Sequence, residues 1–209
     1  MTRPKAEKSD VYDPKRGLIS YFKSRGGVPG ASPAILTEAG TVSYAQLGKD
    51  VRKVAATLWD RGVRKGDFVG ILAGRGVEAI VAMLACARIG AVFAPLDPSN
   101  ARARLPFIVK DLGIKIVLTS ARYHDDAESL LGGKFDLTAV ADVMNGPKAK
   151  GLGYAYPAGE DAFCVLYTSG TTGNPKGVVV PNRAVTSMVF GHPELWFEPS
   201  DRALCSATF

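Results

Sequence analysis

Between Ser43 and Thr119 two apolar patterns take turns, and this alternation restricts the fold more than any other feature of the sequence. Tyr44, Leu47, Val51, Val54 and Leu58 recur at helical spacing. Ser43 stands where a helix cap belongs, Gln46 completes a capping box, and Gly62 closes the helix. "DFVGILA" then reads as a buried strand after the turn "RKGD". "VEAIVAMLACARI" is apolar nearly all round, as a buried helix is, and Gly90 ends it. "AVFAPL" is a strand, "LPFIVKDL" a helix, "KIVLT" a strand. Pro106 is tolerated only in a first turn, so that last helix should begin near Arg104. Strand, helix, strand, helix, strand predicts an α/β fold: a mostly parallel sheet with helices on its faces.

The flanks are read against that centre. Residues 1–17 are polar, and "GLISYFKSRGG" predicts a short helix ended by Gly26 and Gly27. Residues 1–30 are therefore expected as a mobile leader with a short helix, ahead of a domain over 31–209. Residues 34–37 and 41–43 predict two short strands around "EAG". Residues 121–160 carry a weaker pattern, with one strand expected at "LTAVADV" and a subdomain seam near it. From Phe163 onward the order is strand, hydroxyl-rich loop, strand, then a helix from about Asn182.

Composition removes several function classes. With 46% hydrophobic and 22% charged residues, 209 residues can bury a core without staples. Cys86, Cys164 and Cys205 are odd in number and far apart, so they predict buried apolar thiols rather than disulfides or metal ligands. His124 and His192 have no ligand-like spacing and are expected on loops or the surface, so no metal site is predicted. The net charge of +6 suits anionic ligands. Its lysines and arginines are scattered, however, with none of the aromatic-and-basic blocks of a nucleic-acid surface. The N-terminus lacks the apolar stretch of a secretory signal, and "AIVAMLACA" is too short to span a bilayer, so a cytoplasmic protein is expected.

Two glycine-containing turns could meet phosphate. "GRGVEA" at 74–79 fits G-x-G-x-x-A between a strand and a helix, and Asp97 follows about 20 residues on, where a ribose-binding acid would stand. It would imply a dinucleotide and an NAD-dependent oxidoreductase. The same turn also serves any strand-to-helix junction.

"TSGTTGNPKG" at 168–177 differs from the helix-opening phosphate loop, because Pro175 precedes Lys176 and valines follow. Phosphate oxygens would instead be held by loop amides, by the hydroxyls of Thr168, Ser169, Thr171 and Thr172, and by Lys176. Gly170 and Gly173 permit the backbone such a nest needs. A lysine about 4 Å from one phosphate charge gains about 4 kcal/mol at an effective dielectric near 20. A plain hairpin turn needs neither four hydroxyls nor a lysine.

"LYTSGTTGNPKGVVV" resembles the phosphate-binding loop of the adenylate-forming, AMP-binding enzymes: acyl-CoA synthetases, luciferases and nonribosomal peptide synthetase adenylation domains. "TVSYAQL", "GVRKGDFVGILAG" and "ACARIGAVFAPLDPSNARARLPFIVKD" resemble the family's preceding segments, the last closest to the peptide-synthetase branch. "FEPSDRALCSATF" resembles the approach to its next motif, so the likeness runs from about residue 34 to the end.

The resemblance implies the N-terminal part of such an enzyme's large domain. It implies ATP and Mg2+ as cofactors and a carboxylic acid, by branch an amino acid, as substrate. The acid becomes an acyl-adenylate, and a phosphopantetheine carrier or CoA thiol takes the acyl group. Thr168, Ser169, Gly170, Thr171, Thr172, Gly173 and Lys176 would hold the β and γ phosphates, and "AGRGVEAIVAML" becomes structural. Asn182 stands where many members have histidine, and the family's later motifs lie beyond Phe209. The chain is therefore expected as a truncated portion that works with a carrier protein or a missing C-terminal part. The open alternatives are an acyl-CoA synthetase portion and a non-catalytic nucleotide-binding remnant.

Overall fold

A computed structural model of the chain describes residues 12–24, 30–98, 104–147, 155–168, 175–191 and 201–205. In chain order these form α1 (Leu18–Ser24), β1 (Pro33–Thr37), β2 (Gly40–Ser43), α2 (Tyr44–Asp60), β3 (Phe68–Leu72), α3 (Val77–Ile89), β4 (Val92–Pro95) and α4 (Arg104–Asp111). Then follow β5 (Ile116–Thr119), α5 (Ala121–His124), α6 (Ala127–Leu131), β6 (Asp136–Ala139), α7 (Val140–Asn145), β7 (Ala162–Thr168), β8 (Lys176–Pro181) and α8 (Asn182–Phe190).

Six strands make one sheet in the order β6-β5-β3-β4-β7-β8. Every neighbouring pair is parallel except the β7–β8 hairpin. The side-chain period of two explains why it is buried on both faces. From β3, Val69 and Ile71 join α2, α3 and α7 in one core cluster. Leu72, one residue out of phase, joins α4 and α6 in the other. Gly70 sits between strands under Leu96, where an added Cβ would lie 2.8 Å from Cδ1. The alternation expected from the sequence is thus a three-layer α/β/α arrangement, with β1 and β2 forming a separate antiparallel hairpin beside α2.

α2 begins as its sequence dictates. Ser43 Oγ accepts the Gln46 N–H at 3.2 Å. The reciprocal half of the capping box gives way to a different bond, because Gln46 Nε2 donates to Asp50 Oδ1 at 2.7 Å one turn on. Leu47, Val51, Val54 and Leu58 are buried, whereas Tyr44 at the helix start is exposed. Burying a leucine such as Leu58 is worth about 1.5–3 kcal/mol. α3 occupies the span expected for it, and Gly90 ends it in the left-handed conformation at φ +76°. α4 opens at Arg104 with Pro106 in its first turn.

The region 121–160 differs from expectation. "LTAVADV" divides between β6 and α7, and β6 pairs with β5 as the sheet's outer parallel strand rather than marking a seam. The divide comes from tertiary contacts. Arg61, at the end of α2, pairs with Asp136 and donates to the Leu137 carbonyl, drawing β6 to the sheet. Lys53 Nζ donates to the Met144 and Gly146 carbonyls at 2.7 and 2.6 Å, closing the end of α7.

From Tyr12 onward the segment before α1 has contacts with the rest of the fold; residues 1–11 lie outside the described residues, as do Gly26 and Gly27. Gly17 N–H donates to the Pro157 carbonyl at 3.0 Å, and Gly159 N–H to the Lys15 carbonyl at 2.8 Å. A Cβ on Gly17 would come within 2.2 Å of the Pro157 oxygen, so only glycine allows this approach. Tyr21 is buried and stacks on Phe190 of α8, with ring centroids 4.4 Å apart.

Cys86 and Cys164 are buried as expected, but Cys205 is exposed, because Asp201–Cys205 has no regular structure and Leu204 is also exposed. His124 lies on α5, half-buried and hydrogen bonded to Thr119 at 2.7 Å, while His192 lies outside the described residues.

Candidate functional site

The hydroxyl-rich loop tops the β7–β8 hairpin. The strands are antiparallel in a register that pairs Thr168 with Lys176, Tyr167 with Gly177 and Leu166 with Val178. Thr168 and Lys176 are therefore the two sides of the loop's neck, and both are exposed. Ser169, Gly170, Thr171, Thr172 and Gly173 lie outside the described residues. Of the seven phosphate residues expected from the sequence, Thr168 and Lys176 thus have a described place, and they face each other.

β7 runs parallel to β4, so the neck opens at the carboxyl ends of the parallel strands. In open α/β sheets that edge is where ligands bind, at the point where strand order reverses. Here the order reverses between β3 and β5, and the neck on β7 stands two strands along from β3 at the same edge. The turn after β3 is "GRGVEA" and the turn after β5 begins at Ser120.

The geometry gives "GRGVEA" a packing role. Gly76 begins α3 without a side-chain cap. Glu78 Oε1 reaches across to accept the Ala121 N–H at 3.0 Å. A Cβ on Gly74 would stand 3.7 Å from the Tyr123 ring. The turn is tied to the β5–α5 junction through both residues.

The neck of the loop is tied down more firmly than the sequence suggested. Tyr167 donates its hydroxyl to Asp111 Oδ2 at the end of α4, and its ring meets Phe107 edge-on with centroids 6.5 Å apart. Desolvation by burial, then the carboxylate, push the phenol's pKa well above its ordinary value, so it stays a neutral donor. A tyrosine flanking the loop was visible in the sequence; its partner 56 residues earlier was not.

Behind the hairpin, Asn182 is buried at 2% exposure. Its Oδ1 accepts the Leu18 N–H at 3.2 Å and its Nδ2 donates to the Asp161 carbonyl at 3.1 Å. It joins α1, α8 and the turn before β7, and this is a structural task that needs no ionisable ring. Asp161 itself takes Lys65 Nζ at 2.6 Å and the Ala158 N–H at 2.5 Å on Oδ2. Burial raises that carboxyl's pKa, but the two hydrogen bonds and the lysine charge outweigh it and hold it below the usual range.

Among the described residues no three His, Cys, Asp or Glu side chains gather where a metal ion could be held. Among them, too, no helix is long and apolar enough to cross a membrane.

Comparison with known proteins identifies the setting of this hairpin. Residues 22–209 match the family described as AMP-binding enzyme. Nonribosomal peptide synthetase 8 of Aspergillus fumigatus is 36% identical over 173 residues, which cover 78% of this chain and 2% of that protein. The N-terminal subdomain of Klebsiella oxytoca NpsA shares the fold, with a TM-score of 0.72 at 22% identity over 84% of this chain and 44% of that one. ATP-bound MatB from Rhodopseudomonas palustris has a TM-score of 0.65 at 28% identity, over 78% of this chain and 35% of that one. The chain spans a small part of such synthetases and less than half of these structures. With the loop, the parallel sheet that carries it and the match from residue 22 onward, the chain belongs to the AMP-binding enzyme family.

Proposed function

We propose that this chain is the phosphate-binding portion of an adenylate-forming ligase that activates an amino acid with ATP. One observation carries the reading: Thr168 and Lys176 face each other at the neck of a glycine- and hydroxyl-rich loop, on the carboxyl edge of the sheet. Lys176 supplies the cation and Thr168 a hydroxyl for the nucleotide's terminal phosphates, and Ser169, Gly170, Thr171, Thr172 and Gly173 complete the cradle. Mg2+ enters with the ATP phosphates and offsets part of their charge.

In the reaction the carboxylate oxygen of the substrate attacks the α-phosphorus. The bond from that phosphorus to the bridging oxygen breaks, giving acyl-adenylate and pyrophosphate. The chain's contribution is to fix the departing pyrophosphate and to stabilise its growing charge. A thiol, on a phosphopantetheine carrier protein or on CoA, then takes the acyl group and releases AMP.

The amino-acid assignment draws on "PLDPSNARARLPFIVKD" and on likeness to peptide synthetases. A cytoplasmic location is proposed with it, because it accords with a need for ATP.

The test is exchange of labelled pyrophosphate into ATP, run with a panel of amino acids beside fatty and aryl acids. Exchange dependent on one amino acid is expected. Exchange with fatty or aryl acids alone would overturn the amino-acid assignment. A folded chain that binds ATP and exchanges with no acid would make it a nucleotide-binding portion without turnover of its own.

A further inference from the structure

Tyr167 stands one residue before the neck pair of the loop, and Gly177 stands one residue after it on the other strand. The tyrosine ring lies over that glycine. A Cβ on Gly177 would meet the ring's Cζ at 3.1 Å, its hydroxyl oxygen at 3.3 Å and Val165 Cγ1 at 3.1 Å. Any side chain at 177 would push the ring away, so the glycine that follows Lys176 makes room for the tyrosine.

The ring is held from its other end by α4. Phe107 and Asp111 are four residues apart, hence on one face of that helix. Phe107 takes the ring edge-on, and Asp111 accepts the hydroxyl. The tyrosine is half-buried and Asp111 is exposed, so apolar burial alone does not call for a hydroxyl at this position. The hydrogen bond to a charged acceptor fixes where the ring sits, and through the ring where Gly177 sits.

We infer that Tyr167, held by Asp111 and lying over Gly177, is a positioning residue that sets the neck from which Lys176 is aimed at the nucleotide's phosphates. The inference rests on the nucleotide reading above and adds to it a control outside the loop. Its physical basis is preorganisation. Lysine has a long, rotatable stem, so the position of its backbone before ligand arrives decides how much order binding must impose.

Two variants separate the parts. Tyr167→Phe keeps the ring over Gly177 and removes the hydroxyl; Asp111→Asn keeps the helix and weakens the acceptor. Amide hydrogen exchange of the whole chain, with and without ATP·Mg2+, reads both effects. In each variant the amides of residues 166–168 and 176–178 should exchange about fivefold faster, while those of β3 and β4 keep their rates. Half-saturation by ATP should rise about threefold or more, and the double variant should be no worse than either single one.

A purely structural role would shift unfolding without changing ATP half-saturation in the folded variants, and that result would overturn the proposal. Unchanged neck rates in both variants would overturn it as well. A wild-type chain whose exchange does not respond to ATP at all would remove the nucleotide reading instead, and the neck rates would still decide whether the pair holds the hairpin.

Discussion

Single residues divide into those whose chemistry shows in their type and those whose partner decides it. Asn182 is of the second kind. Asn182→Ala leaves the Leu18 N–H without its acceptor and removes a donor to Asp161 in a buried place, a change worth about 1–3 kcal/mol of stability. Urea unfolding should show that loss. Asp161 adds a pH dependence. Its carboxyl pKa is depressed in the folded state, so its contribution is present above the ordinary aspartate range and lost as pH falls through the folded value. Stability measured from pH 7 down to pH 2 should fall less steeply in Asp161→Asn than in the wild type. Thiols give a third test. Burial pushes Cys86 up to about 12 and Cys164 up to about 11, whereas Cys205 is exposed. One thiol should react quickly with a maleimide in the native protein, and three only after unfolding. At this scale the sequence puts forward the phosphate residues by their types alone, and binding has to test them. It could not show the tasks of Asn182 or Tyr167, because Leu18 and Asp111 are 164 and 56 residues away.

Elements were legible where local signals agreed. α3 and α4 lie within a residue of where Gly76, Gly90 and Pro106 place them, since each boundary is written in backbone chemistry. The hairpin was legible because valines and a flanking apolar run bracket the loop. The β6–α7 junction was not, because "LTAVADV" alternates like a strand and has no cap at Ala139. Arg61 and Lys53, reaching over from α2, join the pairing with β5 in holding the strand and the end of the helix. The short α5 and α6 escaped notice for a related reason: four and five residues carry too little period to read. Within β3, Gly70 is required by packing rather than by a turn. Gly70→Ala forces a Cβ against Leu96 and Val117, which should cost about 1–3 kcal/mol by overpacking. Thermal unfolding would detect it, and an unchanged melting temperature would show that the strands can part to accept it.

At the scale of the whole molecule, β8 is the outer strand on the edge of the sheet opposite β6. Val178 and Val179 on it are exposed, as are Leu166 on β7 and Met188 and Val189 on α8, with Val179 at 57% and Met188 at 62%. An outer strand with apolar side chains is a template for association. The chain by itself should therefore associate as its concentration rises, and Val179→Lys should reduce this in sedimentation velocity. A monomer at all concentrations would contradict the expectation. In the function proposed above, the loop, the neck and the clamp on α4 serve one end, which is to hold nucleotide phosphates at the carboxyl edge of the sheet. The most direct test is a calorimetric titration of the wild-type chain and of Lys176→Ala with ATP·Mg2+. Saturable binding that weakens about tenfold or more in the variant, at an unchanged melting temperature, is the predicted result. Equal affinity in the two proteins, or displacement of ATP by NAD, would contradict it.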